Sequence, residues 1–85
     1  NNYPNPFHYE TTIPFEIGTE SMVDISIYDM IGKKLNTLVH GNMQPGSYTT
    51  VWKANDSKAN RIKPGTYICK MQVENGQLVK LMVVQ

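Results

Sequence analysis

Three observations predict an all-β chain, an immunoglobulin-like antiparallel β-sandwich of about seven short strands. Apolar residues alternate with polar ones, turn residues recur roughly every 8 to 15 positions, and no stretch shows a convincing helical period. The 85 residues suffice for one domain; 40% are apolar and 18% charged, a balance that disordered chains lack. A domain this short buries only about 60–65% of its unfolded surface, so its apolar residues go to the core and leave little for a deep substrate pocket.

The first ten residues read as an entry strap and 11–85 as the sandwich. Pro4 and Pro6 alternate with other residues in Asn1-Asn2-Tyr3-Pro4-Asn5-Pro6-Phe7, which fixes φ and holds the preceding residues extended. From Thr11, Ile13, Phe15 and Ile17 share one face. Pro14 lacks a ladder donor and places this strand at an edge or a bulge. Val23, Ile25 and Ile27 then alternate with Asp24, Ser26 and Tyr28, and Asp29-Met30-Ile31-Gly32 closes the strand, with Gly32 supplying positive φ. Lys33 to Val39 returns, but its alternation slips by one between Leu35 and Leu38 or Val39, which predicts a bulge. Gly41-Asn42 and Pro45-Gly46 punctuate the connection that follows.

Tyr48, Thr50 and Trp52 alternate over 47–53, with Trp52 expected at the centre of the core. Polar residues over 54–63 form a loop ending at Pro64-Gly65. Tyr67, Cys69, Met71 and Val73 line one face of the next strand, Asn75-Gly76 predicts a type I′ hairpin, and 77–84 pairs back. A small barrel is the other closure these strands permit.

Lys plus Arg number 8 against 7 Asp plus Glu, a net charge of +1. That removes the electrostatic case for a nucleic-acid or polybasic membrane binder. The longest apolar run, Leu81-Met82-Val83-Val84, is far below the ~20 residues of a membrane span, so no membrane insertion is expected. The single Cys69 provides neither a disulfide framework nor a multi-cysteine metal site. On an inward face it reads as a buried, inert thiol. His8 and His40 are 32 residues apart with no ligand-spaced partners, and read as surface residues. Asn55, Asp56, Ser57 and Asn60 hold one carboxylate, and their spacing suits turn-making better than calcium. Asn55-Asp56-Ser57 also spells a glycosylation acceptor. Tyr3, Tyr48, Trp52 and Tyr67 are assigned to packing ahead of a sugar-stacking platform. No nucleophile elbow or phosphate-cradling loop occurs; no enzyme, metal or cofactor is expected. Beginning at Asn1 without an initiator Met or signal region, the chain reads as a fragment of a longer protein.

The ordered set Asn2-Tyr3-Pro4-Asn5-Pro6-Phe7, Thr11-Thr12-Ile13-x-Phe15, Val23-x-Ile25-x-Ile27-Tyr28-Asp29-x-x-Gly32, Gly46-x-Tyr48-x-x-x-Trp52, Gly65-x-Tyr67 and Lys80 before an apolar end resembles the type IX secretion C-terminal sorting domain. The related immunoglobulin-like module of flagellar hook-capping proteins shares much of it. The resemblance spans the whole chain. It implies a β-sandwich that folds in the periplasm of a Gram-negative, Bacteroidetes-type bacterium and ends a large secreted cargo protein. The outer-membrane translocon recognises such a domain, and a sortase commonly removes it and attaches the cargo to the cell surface. Carried over by position, the strap corresponds to Pro4 and Pro6, the Gly-x-Tyr element to Gly65 and Tyr67, and the terminal lysine to Lys80. The family's Asp after the tryptophan is Lys53 here, and its Gly before the last loop's basic position is Asn60, which tolerates positive φ nearly as well.

Gly65, Tyr67 and Lys80 are therefore the candidate recognition residues. Each also has a structural reading: a tight turn for Gly65, a tyrosine corner for Tyr67, and edge protection for Lys80. If the last hairpin borders a sheet, its backbone can add a partner strand, with Lys80 fixing register. The competing class is a carbohydrate-binding or spacer module of a secreted hydrolase, for which Tyr3, Tyr9 and Tyr28 are the outward aromatic candidates. A hook-assembly scaffold is a third.

Overall fold

A computed structural model describes residues 6–85; Pro4 of the expected strap lies outside the described residues. Six strands follow in order: β1 (Thr11–Ile17), β2 (Ser21–Tyr28), β3 (Lys34–Met43), β4 (Gly46–Trp52), β5 (Gly65–Val73) and β6 (Gly76–Val84). They form two antiparallel sheets, β1-β4 and β3-β2-β5-β6, which face each other as a sandwich. The core lies where the inward periods of the two sheets meet. Ile13, Phe15 and Ile17 come from β1, Val23, Ile25 and Ile27 from β2, Trp52 from β4, Cys69 from β5, and Met82 and Val84 from β6. Trp52 is fully buried, as its period predicts. Phe7 meets its ring edge-on at 5.6 Å and Tyr67 at 5.8 Å, while its Nε1 donates to the Asn55 carbonyl at 3.0 Å.

Phe7 is itself a core residue, and its backbone is bound to the last strand. Its N–H donates to the Val83 carbonyl at 3.0 Å, and Gln85 N–H donates to its carbonyl at 2.8 Å. Pro14 is tolerated because β1 has β4 as its one strand neighbour among the described residues, leaving an outer edge where no ladder donor is required.

The slip in β3 resolves into two register shifts against β2. Ile25 pairs with Val39 but Ser26 with Thr37, and Ile27 pairs with Asn36 but Tyr28 with Lys34. Leu38 and Leu35 are thus extra residues, and the strand absorbs them by bulging. The expected break at Gly41-Asn42 does not occur. Gly41 pairs with Val23 and Asn42 with Met22, because the first half of β2 needs partners on this side and pairing overrides a weak local preference.

The last hairpin also departs from expectation. Its two connecting residues are Glu74-Asn75, since Val73 pairs with Gly76, and neither connector has positive φ, so no type I′ turn forms at Asn75-Gly76. Tertiary contacts select this register: Glu74 N–H donates to Ser21 Oγ at 3.1 Å, and Met22 N–H to the Glu74 carboxylate at 3.4 Å. As a result Lys80, rather than Met82, lies opposite Cys69.

Two loops share one construction. Asp29 Oδ1 accepts from the N–H groups of Ile31 (3.0 Å) and Lys33 (2.9 Å), while Gly32, at φ +93°, donates back to the Asp29 carbonyl. Asp56 Oδ1 likewise accepts from Lys58 and Asn60, both at 2.9 Å, and Ala59 donates to the Asp56 carbonyl. The left-handed residue of the second loop is Ala59, at φ +64°, and not the expected Asn60. Gly32 is obvious in the sequence; Ala59 conceals the same turn.

Candidate functional site

Gly65 and Tyr67 belong to a corner that occurs twice. Pro45-Gly46-Ser47-Tyr48 opens β4 and Pro64-Gly65-Thr66-Tyr67 opens β5. In each, the tyrosine hydroxyl donates to the carbonyl four residues earlier, Tyr48 to Gln44 at 2.7 Å and Tyr67 to Lys63 at 2.6 Å. In each, the glycine has φ near +155° and the tyrosine ring lies over its Cα, with a Cβ at Gly46 meeting the ring at 3.5 Å. Proline sets the entry, glycine permits both the dihedral and the close approach, and the hydroxyl ties the strand to its own loop. The Tyr67 ring is half-buried, and burial together with the nearby Asp29 charge raises its pKa. The pair thus has a defined structural task, as the tyrosine-corner reading anticipated.

Lys80 lies elsewhere. It is half-buried on the core-facing side of β6, opposite Cys69, at the mouth of a slot of about 180 Å³ between β1 and the β5-β6 hairpin. Phe15, Met71 and Leu78 line the slot, together with Glu16 and Lys80. Because β1-β4 has two strands and the opposing sheet four, the inner face of β6 overhangs here, and Leu78 remains 59% exposed. Sequence periodicity puts Lys80 on the inward face but does not show that the covering sheet stops short.

Among the described residues β6 is the last strand of its sheet, as expected. Its edge is not an open row throughout, however, because Phe7 occupies the Val83–Gln85 end, and Lys80, Leu81 and Val83 are also engaged. The structure brings Tyr67 and Trp52 together but sets Lys80 apart from them, nearer the middle of the hairpin.

The remaining candidates have local partners. Cys69 is buried, and burial pushes its thiol up to about 11 against the opposing pull of the Lys80 ammonium. His40 Nδ1 lies 3.1 Å from Asp24 Oδ2 on the solvent side of β2 and β3. Burial raises the Asp24 pKa, but hydrogen bonds from Ser26 and His40 and the charge of Lys34 outweigh it and hold the carboxyl below its ordinary value. The His8 carbonyl accepts from the Arg61 guanidinium. Asn55 accepts from the Asn36 amide through both its backbone carbonyl and Oδ1, at 3.0 and 3.2 Å. No group of three or more His, Cys, Asp or Glu residues is arranged for a metal among the described residues. Tyr9 stacks with Arg61 and Tyr28 lies beneath Lys34 and Lys70, so the two outward tyrosines form no common platform; Tyr3 lies outside the described residues.

Two solved structures share this architecture. Dimeric latent PorU from Porphyromonas gingivalis matches with a TM-score of 0.75 at 22% identity, over 99% of this chain and 9% of that one. FLGD from P. aeruginosa matches with a TM-score of 0.60 at 23% identity, over 87% of this chain and 58% of that one. At these identities the likeness establishes the fold. No curated protein matches the chain by sequence. The model of the secretion system C-terminal sorting domain matches residues 1–85, the whole chain, and to that family this β-sandwich belongs.

Proposed function

We propose that the chain is a non-catalytic signal domain that directs a cargo polypeptide through the outer membrane by type IX secretion, as a folded unit recognised by the secretion channel. The observation that carries this reading is the match of residues 1–85 to the sorting-domain family. The corner geometry at Gly65 and Tyr67 supports the requirement for a folded signal, because those motif residues organise the entry to β5. Within this reading, residues 1–10, with Pro4 and Pro6, form the strap leading from the cargo, and 11–85 form the signal proper. Lys80 serves the channel through its place at the slot mouth, beside the part of the β6 edge that precedes it. A sortase then removes the domain and attaches the cargo to the cell surface.

The test fuses residues 1–85 to the end of a periplasmic reporter in a type IX-competent bacterium. The reporter is expected at the cell surface or in the medium. Retention in the periplasm with the domain folded refutes the reading. For the finer assignment, Lys80→Ala is expected to reduce export without lowering the melting temperature, and unchanged export rejects that role.

A further inference from the structure

The outer face of the four-stranded sheet carries a patch that neither the core nor the turns require. Pairing sets its rungs. Lys34, Tyr28, Ile68 and Leu81 lie side by side across β3, β2, β5 and β6, and the next rung runs Thr37, Ser26, Lys70 and Val79. Directly opposed side chains on one face of a sheet stand roughly 5 Å apart, so these residues form a continuous layer, in which Ser26 is fully covered by its neighbours and the others reach the surface. Leu81 and Val79 are each more than half exposed, although polar β-formers would serve an outward position equally well. Lys70 Nζ lies 4.9 Å and Lys34 Nζ 5.9 Å from the centre of the Tyr28 ring. Among the described residues, neither ammonium is in an ion pair.

We infer that this face is a docking surface for a protein segment that presents apolar side chains flanked by carboxylates. This rests on the sorting reading above and adds to it the surface and the chemistry of the partner. Two cations with no carboxylate in salt-bridge contact, Lys34 acting on Asp24 only at longer range, border an apolar strip and complement such a segment, whose carboxylates replace water around the ammonium groups while its apolar residues cover Ile68, Val79 and Leu81. An anionic membrane fits less well. Two rungs along, the same face carries Asp24, with Glu74 near that end, and a flat negative surface would repel it.

The test uses the reporter ending in residues 1–85 and the double variant Lys34→Glu/Lys70→Glu. Lys34→Gln/Lys70→Gln is the milder form, and Thr49→Glu on the outer face of the opposite sheet is the control. Export is expected to fall at least tenfold for the Glu pair and less for the Gln pair. It should be unchanged for Thr49→Glu, with melting temperatures of all variants within a few degrees. A photoreactive residue at Val79 should crosslink to an export component in the wild-type fusion and not in the Glu pair. Normal export of the folded Glu pair overturns the docking surface and leaves the sorting reading intact, whereas failure of the wild-type fusion to be exported removes the sorting reading itself. Salt-sensitive binding of the purified chain to phosphatidylglycerol vesicles, lost in the Glu pair, assigns the face to a membrane and also overturns the inference.

Discussion

Replacing Ala59 with glycine is expected to stabilise the domain, although it removes a methyl group and loosens the unfolded chain. Ala59 sits at φ +64° in an exposed loop, where the equivalent residue of the Asp29 loop is Gly32 at φ +93°. A left-handed conformation costs an L-residue roughly 1–2 kcal/mol, whereas glycine adopts it freely. Against this, glycine adds about 0.4–1 kcal/mol of unfolded-state entropy. The balance favours Ala59→Gly by about 0.5–1 kcal/mol, or a melting temperature higher by roughly 2–8 °C for a domain of this size. Ala54 is the internal control. It too is left-handed, at φ +54°, but its methyl is fully buried, and losing a buried carbon costs about 0.8 kcal/mol. Ala54→Gly should therefore be close to neutral. Thermal melts and urea titrations of the two variants check both expectations. A lower midpoint for Ala59→Gly, or a larger gain at Ala54 than at Ala59, refutes the assignment of strain.

Tyr67→Phe and Tyr48→Phe keep the rings and delete the corner hydrogen bonds, so each should cost about 0.5–1.5 kcal/mol in urea titrations. A loss of export without that loss of stability would give the Tyr67 hydroxyl a recognition role. Cys69, with its thiol near 11 and its side chain buried, should resist iodoacetamide at pH 8 until urea unfolds the chain; rapid labelling of the folded protein contradicts its placement. The Asp56 carboxylate is held below its ordinary value, chiefly by the hydrogen bond from the Asn60 N–H, which with the one from Lys58 outweighs the opposing effect of desolvation. Its folded pKa is the lower one, so its contribution is present above about pH 4 and lost as pH falls through that lower value. Asp56→Asn should flatten part of the decline in urea midpoint between pH 5 and pH 2, and an unchanged acid limb opposes the loop assignment.

The parts of the fold legible in the sequence are those set by side-chain period. Ile13, Phe15 and Ile17, then Val23, Ile25 and Ile27, then Trp52, alternate in sequence and lie in the core. The misread parts are those where a distant contact chose between local options. Asn75-Gly76 is a strong hairpin signal, yet Ser21 holds Glu74 and moves the turn by one residue. Gly41 reads as a break, yet Val23 needs a partner. Ala59 carries no turn signal because the conformation is enforced by Asp56 rather than preferred by alanine. At the candidate site, the Gly65-Tyr67 corner follows from the motif itself. The slot beside Lys80 depends on β1-β4 having two strands against four, which no local pattern encodes.

That inequality also bears on which residues a partner can read. Gly65 and Tyr67 are motif residues, but the Tyr67 hydroxyl is committed to Lys63 and its ring packs against Trp52. Substitutions there are expected to act on folding, so any loss of export has to be read against the melting temperature. Residues on the outer face of β5 and β6 face the opposite constraint. Val79 leaves the core unaltered whatever its polarity, and threonine would match its branching and strand preference. An apolar residue at this position beside Leu81, with Lys70 opposite and Lys34 one strand beyond Tyr28, is a cost to solubility without a matching gain in the fold. A signal that must first fold and then be recognised is best served by placing these tasks on opposite faces of one sheet. The inward face carries the Tyr67 ring, which packs against Trp52 of the facing sheet, and the outward face presents the apolar strip and its lysines.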